Sequence, residues 1–239
     1  TYVFTRQARN FGVHSRFIDG TMLEPGFELD ELCAPVIALD RYVEKTGDTA
    51  FAARPFVRDG LEEILRRMEA KKHPSVPMYE TFLQPTDDMH NHIYLTYDNA
   101  LVCYALRALA KLLNRPKLAE EAERTRRAVY KHCVKEQNGR PFFAWSVDLN
   151  GHFDIYDEPP GSLLLLPFYG FCEESDPIWQ NTAAMIRDES YPLSFAGHPI
   201  AEIGCKHAPH PWILSICNSL LSGHADSALL HLSHTPLDN

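Results

Sequence analysis

Apolar residues recur at three- and four-residue steps in one stretch after another of this chain, and that period commits it to packed helices. From Glu28 to Thr46 one face carries Leu29, Leu32, Val36, Leu39 and Val43, and Gly47 stops the run. From Ala50 to Ala70 the face is Phe56, Leu61, Ile64, Leu65 and Met68. Lys71 to Leu83, with Pro74 and Pro77, reads as a connection. Tyr97 to Leu113 is apolar around so much of its circumference, through Ala100, Leu101, Cys103, Tyr104, Leu106, Leu109 and Leu112, that it must be buried. Arg115-Pro116 breaks it. Lys117 to Lys135 is charged outside, with Ala119, Ala122, Ala128 and Val129 turned inward. Further helices are predicted over Ser162–Phe171, Pro177–Asp188 and Trp212–Ser222, and another starts over His224–Leu232. One stretch breaks the period: after the turn Gln137-Asn138-Gly139, the segments Phe142–Asp148 and Gly151–Ile155 flank Leu149-Asn150 and predict a small β-hairpin near 142–155.

The fold class is therefore all-α, with helix pairs joined by loops. The helices are too apolar for an extended coiled coil and too irregular for a short-period repeat array. The net charge of −9, with no basic stripe, argues against a nucleic-acid partner. No apolar run approaches the roughly 20 residues of a membrane span. Cys33, Cys103, Cys133, Cys172, Cys205 and Cys217 form no CxxC pair and sit mostly in apolar helical patterns, which predicts buried free thiols in a reducing, cytoplasmic setting.

The chemistry-bearing residues gather in four loops. Phe27 to Pro35 opens a helix with Glu28, Asp30 and Glu31, acids that suit the helix dipole and, at Glu28 and Asp30, also suit hydrogen bonds from sugar hydroxyls. Leu83 to Tyr94 holds Asp87 and Asp88. Adjacent carboxylates raise one another's pKa, which suits a general acid, while Thr86 as a helix N-cap followed by first-turn acids is the structural alternative. His90 and His92 in the same loop match no metal-ligand pattern, so no metal is assigned. Ile155 to Ser162 sets Asp157 and Glu158 before a Pro-Pro-Gly turn, with Ser162 as a candidate N-cap. Ile203 to Trp212 places His207 and His210 around Gly204, ahead of an apolar helix. No nucleophile elbow, phosphate loop or dinucleotide fingerprint is present. Paired carboxylates working without a cofactor are the equipment of glycoside hydrolysis.

These loops, in this order, resemble the motifs of glycoside hydrolase family 125, the metal-independent exo-α-1,6-mannosidases. The family segment Tyr-Glu-x-Asp-Ser-Leu-Cys-Tyr-Pro is similar to Phe27-Glu28-Leu29-Asp30-Glu31-Leu32-Cys33-Ala34-Pro35. Its Arg-Pro-Ser-Asp-Asp, followed by Tyr and Asn, resembles Gln84-Pro85-Thr86-Asp87-Asp88 with Tyr94 and Asn99. Its Asp-Asp-Ala-Asn-x-Pro-Ser-Leu-Leu stretch is similar to Tyr156 through Leu164, and its Gly-Ile-Gly-Ser-Pro-His to Glu202 through His207, with Trp212 behind.

The resemblance implies an (α/α)₆ toroid and an inverting exo-α-mannosidase acting on an oligosaccharide or glycan. It places the general acid in the pair Asp87 and Asp88. Glu28, Asp30, Tyr94, Asn99, Asp157, His207 and Trp212 fall at substrate-binding positions, and no cofactor is implied. Too few helices are predicted to close a ring of six hairpins, so positions 1–239 are expected to form part of a catalytic domain, truncated at both ends, with the family's basic glutamate beyond Asn239. The chain departs from the family pattern at Gln84 (arginine in the family), Tyr156 (aspartate), Pro159 (asparagine) and Tyr97 (proline). Another toroid glycosidase or phosphorylase acting on α-glucosides, or a non-catalytic glycan-binding relative, are the competing readings.

Overall fold

The helix that buries most of its residues is the one on which its neighbours pack. In the computed structural model, which describes residues 1–235, it spans Thr96–Leu112 and buries twelve of its residues, from Thr96 to Leu109. Positions 236–239, the end of the unit predicted over 1–239, lie outside the described residues. In chain order the helices are α1 (Tyr2–Thr5), α2 (Leu29–Thr46), α3 (Thr49–Ala52), α4 (Pro55–Glu69), α5 (Thr96–Leu112), α6 (Lys117–Cys133), α7 (Pro177–Ile186), α8 (Ile213–Leu221) and α9 (Ala225–Ser233). α5 packs against α6 and α2, and α8 against α9, so helical hairpins do recur along the chain. The core runs from Phe4 and Phe11 through α2, α4, α5 and α6 to Leu163–Leu166 and α7. All six cysteines are free thiols, and Cys217 alone among them is exposed. Among the described residues no helix is long and apolar enough to cross a membrane.

Three sequence expectations need correction. The helix predicted over 50–70 is two, α3 and α4, because Pro55 drives Arg54 into extended backbone (φ −62°, ψ 140°) and starts a new helix behind it. The stretch 162–171 forms no α-helix. Short 3₁₀ turns at Pro159–Gly161 and Leu163–Leu165 replace it, bounded by Pro167 and by Gly170 at φ 63°. Leu163 and Leu166 are fully buried all the same. The single hairpin near 142–155 is two structures.

Strand β4 (Val134–Gln137) pairs antiparallel with β5 (Arg140–Phe143). Asn138 (φ 52°) and Gly139 (φ 74°) form the turn between them, the positive-φ pair that a two-residue hairpin requires. Strand β6 (Ser146–Val147) pairs with β7 (Phe153–Asp154) and also with β3 (Tyr94–Leu95), which leads into α5. A further hairpin, β1 (Val13–Arg16) and β2 (Met22–Phe27), precedes α2. No sequence expectation covered it. It lies close on the rest of the chain at Gly26, where an added Cβ would sit 2.7 Å from Leu83 Cδ1 and 3.2 Å from His14 Cβ.

Candidate active site

Several loops meet at a cleft of about 560 Å³ whose lining includes Gln84, Asp88, His90, Trp145, Tyr156, Lys206 and His207. Three of the four motif loops contribute to it. A hollow of about 440 Å³ between the β4–β5 turn and α7 has Asp188 as its single carboxylate, so paired-acid chemistry has no place there.

The loop carrying Asp87 and Asp88 is no helix start. Gln84 closes it as a turn: its N–H donates to Asp88 O at 3.0 Å, and Asp87 N–H donates to Gln84 O at 2.8 Å. Asp87 sits in the left-handed region at φ 66°, a conformation that aspartate tolerates better than most residues. The turn sends the two adjacent carboxylates to different partners. Asp88 lines the cleft with His207 Nδ1 at 3.3 Å, whereas Asp87 Oδ1 lies 3.0 Å from His14 Nδ1. Thr86, instead of capping a helix, holds the loop from below. Its hydroxyl lies 3.0 and 2.9 Å from the two Glu158 oxygens and 3.4 Å from Asp88 Oδ2, so its one proton goes to Glu158.

Glu158 forms the floor. Gln84 Nε2 donates to it at 2.9 Å and Tyr156 OH at 3.1 Å. Burial pushes its carboxyl up to about 7, against the hydrogen bonds from Thr86 and Tyr156 that favour the anion. Trp145 meets Tyr156 edge-on at 5.4 Å, and Lys206 lies 5.1 Å above the Tyr156 ring, giving the cleft an aromatic wall.

Beside this floor stands a group of buried acids. Glu28 occupies the N-cap position of α2, yet its side chain caps nothing. Burial first, then the charges of Asp30 and Asp87, push it up to about 9. Burial and Glu31 push Asp30 up to about 7. Asp98, in the first turn of α5, is fully buried without a hydrogen-bond donor on either oxygen, and burial and Asp30 hold its carboxyl well above the usual range.

Of the other positions implied by the resemblance, Tyr94, Asn99 and Asp157 are buried and Trp212 is half-buried. Tyr94 pairs in β3 with Val147. Asn99 spends its whole amide on backbone, accepting from Tyr79 N–H at 2.8 Å and donating to Tyr79 O and Leu95 O at 3.0 and 2.8 Å. Asp157 is fully buried and accepts from Ser162 Oγ and Leu163 N–H, both at 2.7 Å. Ser162 does cap its turn, accepting from Leu164 N–H at 3.1 Å. Trp212 donates to Ala208 O at 3.2 Å and lies off the cleft lining. Several residues at the site went unassigned in the sequence, Glu158, His14, Trp145 and Tyr156 among them. Glu158 carried a usable signal, an acid fixed before Pro-Pro-Gly. His14 carried none, since it reaches Asp87 only through the unforeseen hairpin.

Helical hairpins whose connecting loops pool acids, histidines and aromatic rings in one cleft are the building units of a helical toroid fold. Comparison with known proteins agrees on the fold. The metal-independent α-mannosidase of Streptococcus pneumoniae, solved in a non-productive complex with α-1,6-mannobiose, superposes with a TM-score of 0.81 at 18% identity, over 94% of this chain and 64% of that one. A wild-type glycosidase superposes at 0.63 with 17% identity, over 98% of this chain and 66% of the other. A family 78 rhamnosidase of Bacillus sp. GL1 superposes at 0.58 with 16% identity, over 87% of this chain and 21% of its own. In sequence, residues 69–234 match the family described as metal-independent alpha-mannosidase (GH125), and the chain belongs to that family. The meiotically up-regulated gene 157 protein of Schizosaccharomyces pombe is 27% identical over 161 residues, which is 62% of this chain and 32% of the yeast protein. The chain thus spans about a third of that relative's length.

Proposed function

We propose that the protein containing this chain is an inverting, exo-acting α-mannosidase that releases α-1,6-linked mannose. The observation carrying this reading is the separation of the acid pair: Asp88 faces the cleft beside His207, and Asp87 turns away to His14. Asp88 is then the general acid, protonating the oxygen of the departing sugar. Its cleft-side neighbour His207, with Glu28 and Asp30 from the adjoining acids, would accept and donate hydrogen bonds to the terminal mannose. Trp145 and Tyr156 offer apolar ring faces to a sugar. Inversion needs a second carboxylate about 6.5–9.5 Å from the acid to activate water. The resemblance assigns that base to a glutamate of a late Glu-Ser motif.

A second reading has an observation of its own. Gln84 and Tyr156, which line the cleft, replace a family arginine and aspartate, so the sugar bound here can differ from mannose. A panel of aryl α-mannosides and α-glucosides, each with and without phosphate, tests the reading on the full-length protein. Turnover confined to α-mannosides and indifferent to phosphate supports the mannosidase. Preference for glucosides, or dependence on phosphate, replaces it with the second reading. Sugar binding without turnover points to a non-catalytic relative.

A further inference from the structure

Helix α8 turns polar residues inward. Its Ile213, Leu214, Leu220 and Leu221 are exposed, whereas Ser215, Asn218 and Ser219, spaced three and four apart on one face, are buried. Buried polar side chains are costly unless hydrogen-bonded, and each of these has a partner. Ser215 Oγ and Ser219 Oγ donate to Glu202 Oε2 at 2.8 and 2.9 Å, and Asn218 Nδ2 donates to Pro159 O at 2.8 Å. Glu202 is itself buried, and His231 Nδ1 of α9 lies 2.8 Å from its Oε1. That contact stands whichever of the two holds the proton. Arg187 lines the same small hollow but is committed to Ser222, so His231 is the one basic group hydrogen-bonded to Glu202 among the described residues.

Both sets of bonds lead to the cleft. Pro159 follows Glu158, which takes the Thr86 hydroxyl proton beneath the Asp88 turn. Glu202 stands at the root of the loop that carries His207. That loop is closed on itself: Cys205 N–H donates to Ala208 O at 3.2 Å, Trp212 Nε1 donates to the same oxygen at 3.2 Å, and an added Cβ on Gly204 would lie 2.5 Å from His210 O. A loop closed in this way is oriented as a unit by its root, and the root is Glu202 with Ile203, whose N–H donates to Ser215 Oγ at 3.3 Å. One face of α8 thus holds the Asp88 turn through Asn218 and the His207 loop through Glu202, and Asp88 and His207 meet at 3.3 Å.

We propose that Glu202 is a positioning residue that sets His207 against Asp88, with His231 fixing the Glu202 carboxylate from α9. Neither Glu202 nor His231 lines the cleft, so both act through His207. The effect on turnover rests on the mannosidase reading with Asp88 as general acid. His207 orients the Asp88 carboxyl toward the departing oxygen, and a shift of about 1 Å at a reacting group costs on the order of 10²-fold. Loss of the anchor therefore falls on the step that needs the proton.

Two measurements on the full-length protein containing this chain test the anchor. Hydrogen exchange read by mass spectrometry needs no activity: amides of 203–212 are expected to exchange about tenfold faster in Glu202→Ala and His231→Ala, with those of α5 unchanged. In kinetics, His231→Ala is expected to lose about 10- to 100-fold on α-1,6-mannobiose and much less on an aryl α-mannoside with a good leaving group. His231→Asn, whose amide sets a hydrogen-bonding atom near the place of Nδ1, should recover most of the rate. In a His207→Ala background His231→Ala should add little, because the residue it helps to position is gone. Should the alanine variants not fold, Ser219→Ala, which removes one bond to Glu202, carries the same comparisons with smaller changes. Unchanged exchange of 203–212 in folded variants, equal losses on the two substrates, or an undiminished loss in the His207→Ala background overturns the proposal. If the parent hydrolyses neither mannoside, the mannosidase reading fails, and the exchange of 203–212 still decides whether Glu202 holds the His207 loop.

Discussion

Thr86 gives its hydroxyl proton to Glu158 across 72 residues of sequence, at 3.0 and 2.9 Å from the two carboxylate oxygens. That contact joins the loop bearing the acid pair to the loop before the buried leucines. Both partners are buried, so removing the donor leaves a carboxylate short of one hydrogen bond in low dielectric. Thr86→Val is expected to cost about 1–3 kcal/mol in urea unfolding and to lower turnover by loosening the Asp88 turn. Unchanged stability would mean that the pair contributes nothing to holding the loop.

The same two loops touch at Gly161, where an added Cβ would lie 2.6 Å from Pro85 Cγ and 3.1 Å from its Cβ. A proline ring cannot swing aside as a long side chain would. Gly161→Ala should therefore push the loops apart and destabilise by about 1–3 kcal/mol, the range for overpacking a tight contact. The midpoint of thermal unfolding reads this directly.

Asp157 makes the pH dependence of stability predictable in sign. Burial pushes its carboxyl up to about 8 from an unfolded value near 3.8, against the hydrogen bonds from Leu163 and Ser162. Between those values the folded chain holds a proton that the unfolded chain has released. Stability contributed by this group is then greatest below about pH 4 and falls as pH rises toward 8, with a slope of at most about 1.4 kcal/mol per pH unit. Glu158, raised to about 7, adds in the same direction. Urea unfolding across pH 4 to 8 should show the decline, and Asp157→Asn, which mimics the protonated acid, should flatten it. A decline as steep in the variant as in the parent would contradict the assignment.

Much of this fold was legible because helix period is a local property. Leu29 to Val43 and Ala100 to Leu112 announced α2 and α5 to within a residue or two at their ends. The Leu163–Leu166 run was read correctly as core and wrongly as α-helix, since burial alone does not choose between a 3₁₀ turn and a helix. The strands were legible in part: Ser146 and Val147 pair with Asp154 and Phe153 about the expected Leu149-Asn150 turn, but they also pair with Tyr94 and Leu95, a partnership no local pattern encodes. At the site, the motif loops and Asp88 were visible in sequence. His14 was not, because its meeting with Asp87 depends on how the β1–β2 hairpin packs. Asn99 and Asp157 carry the polar character expected of ligand-binding residues, but their polar atoms are consumed by backbone and by Ser162.

Kinetics of single acid variants test the central claim most directly. The full-length protein containing this chain is assayed on α-1,6-mannobiose and on an aryl α-mannoside with a good leaving group, as parent, Asp88→Asn and Asp87→Asn. Loss of a general acid costs about 10²–10⁴-fold where the leaving oxygen needs a proton and much less where it does not. The account predicts that fall for Asp88→Asn on mannobiose, with most of the rate retained on the aryl substrate. Undiminished turnover of mannobiose by Asp88→Asn would contradict it, and the fall appearing in Asp87→Asn instead would move the acid to the neighbouring residue.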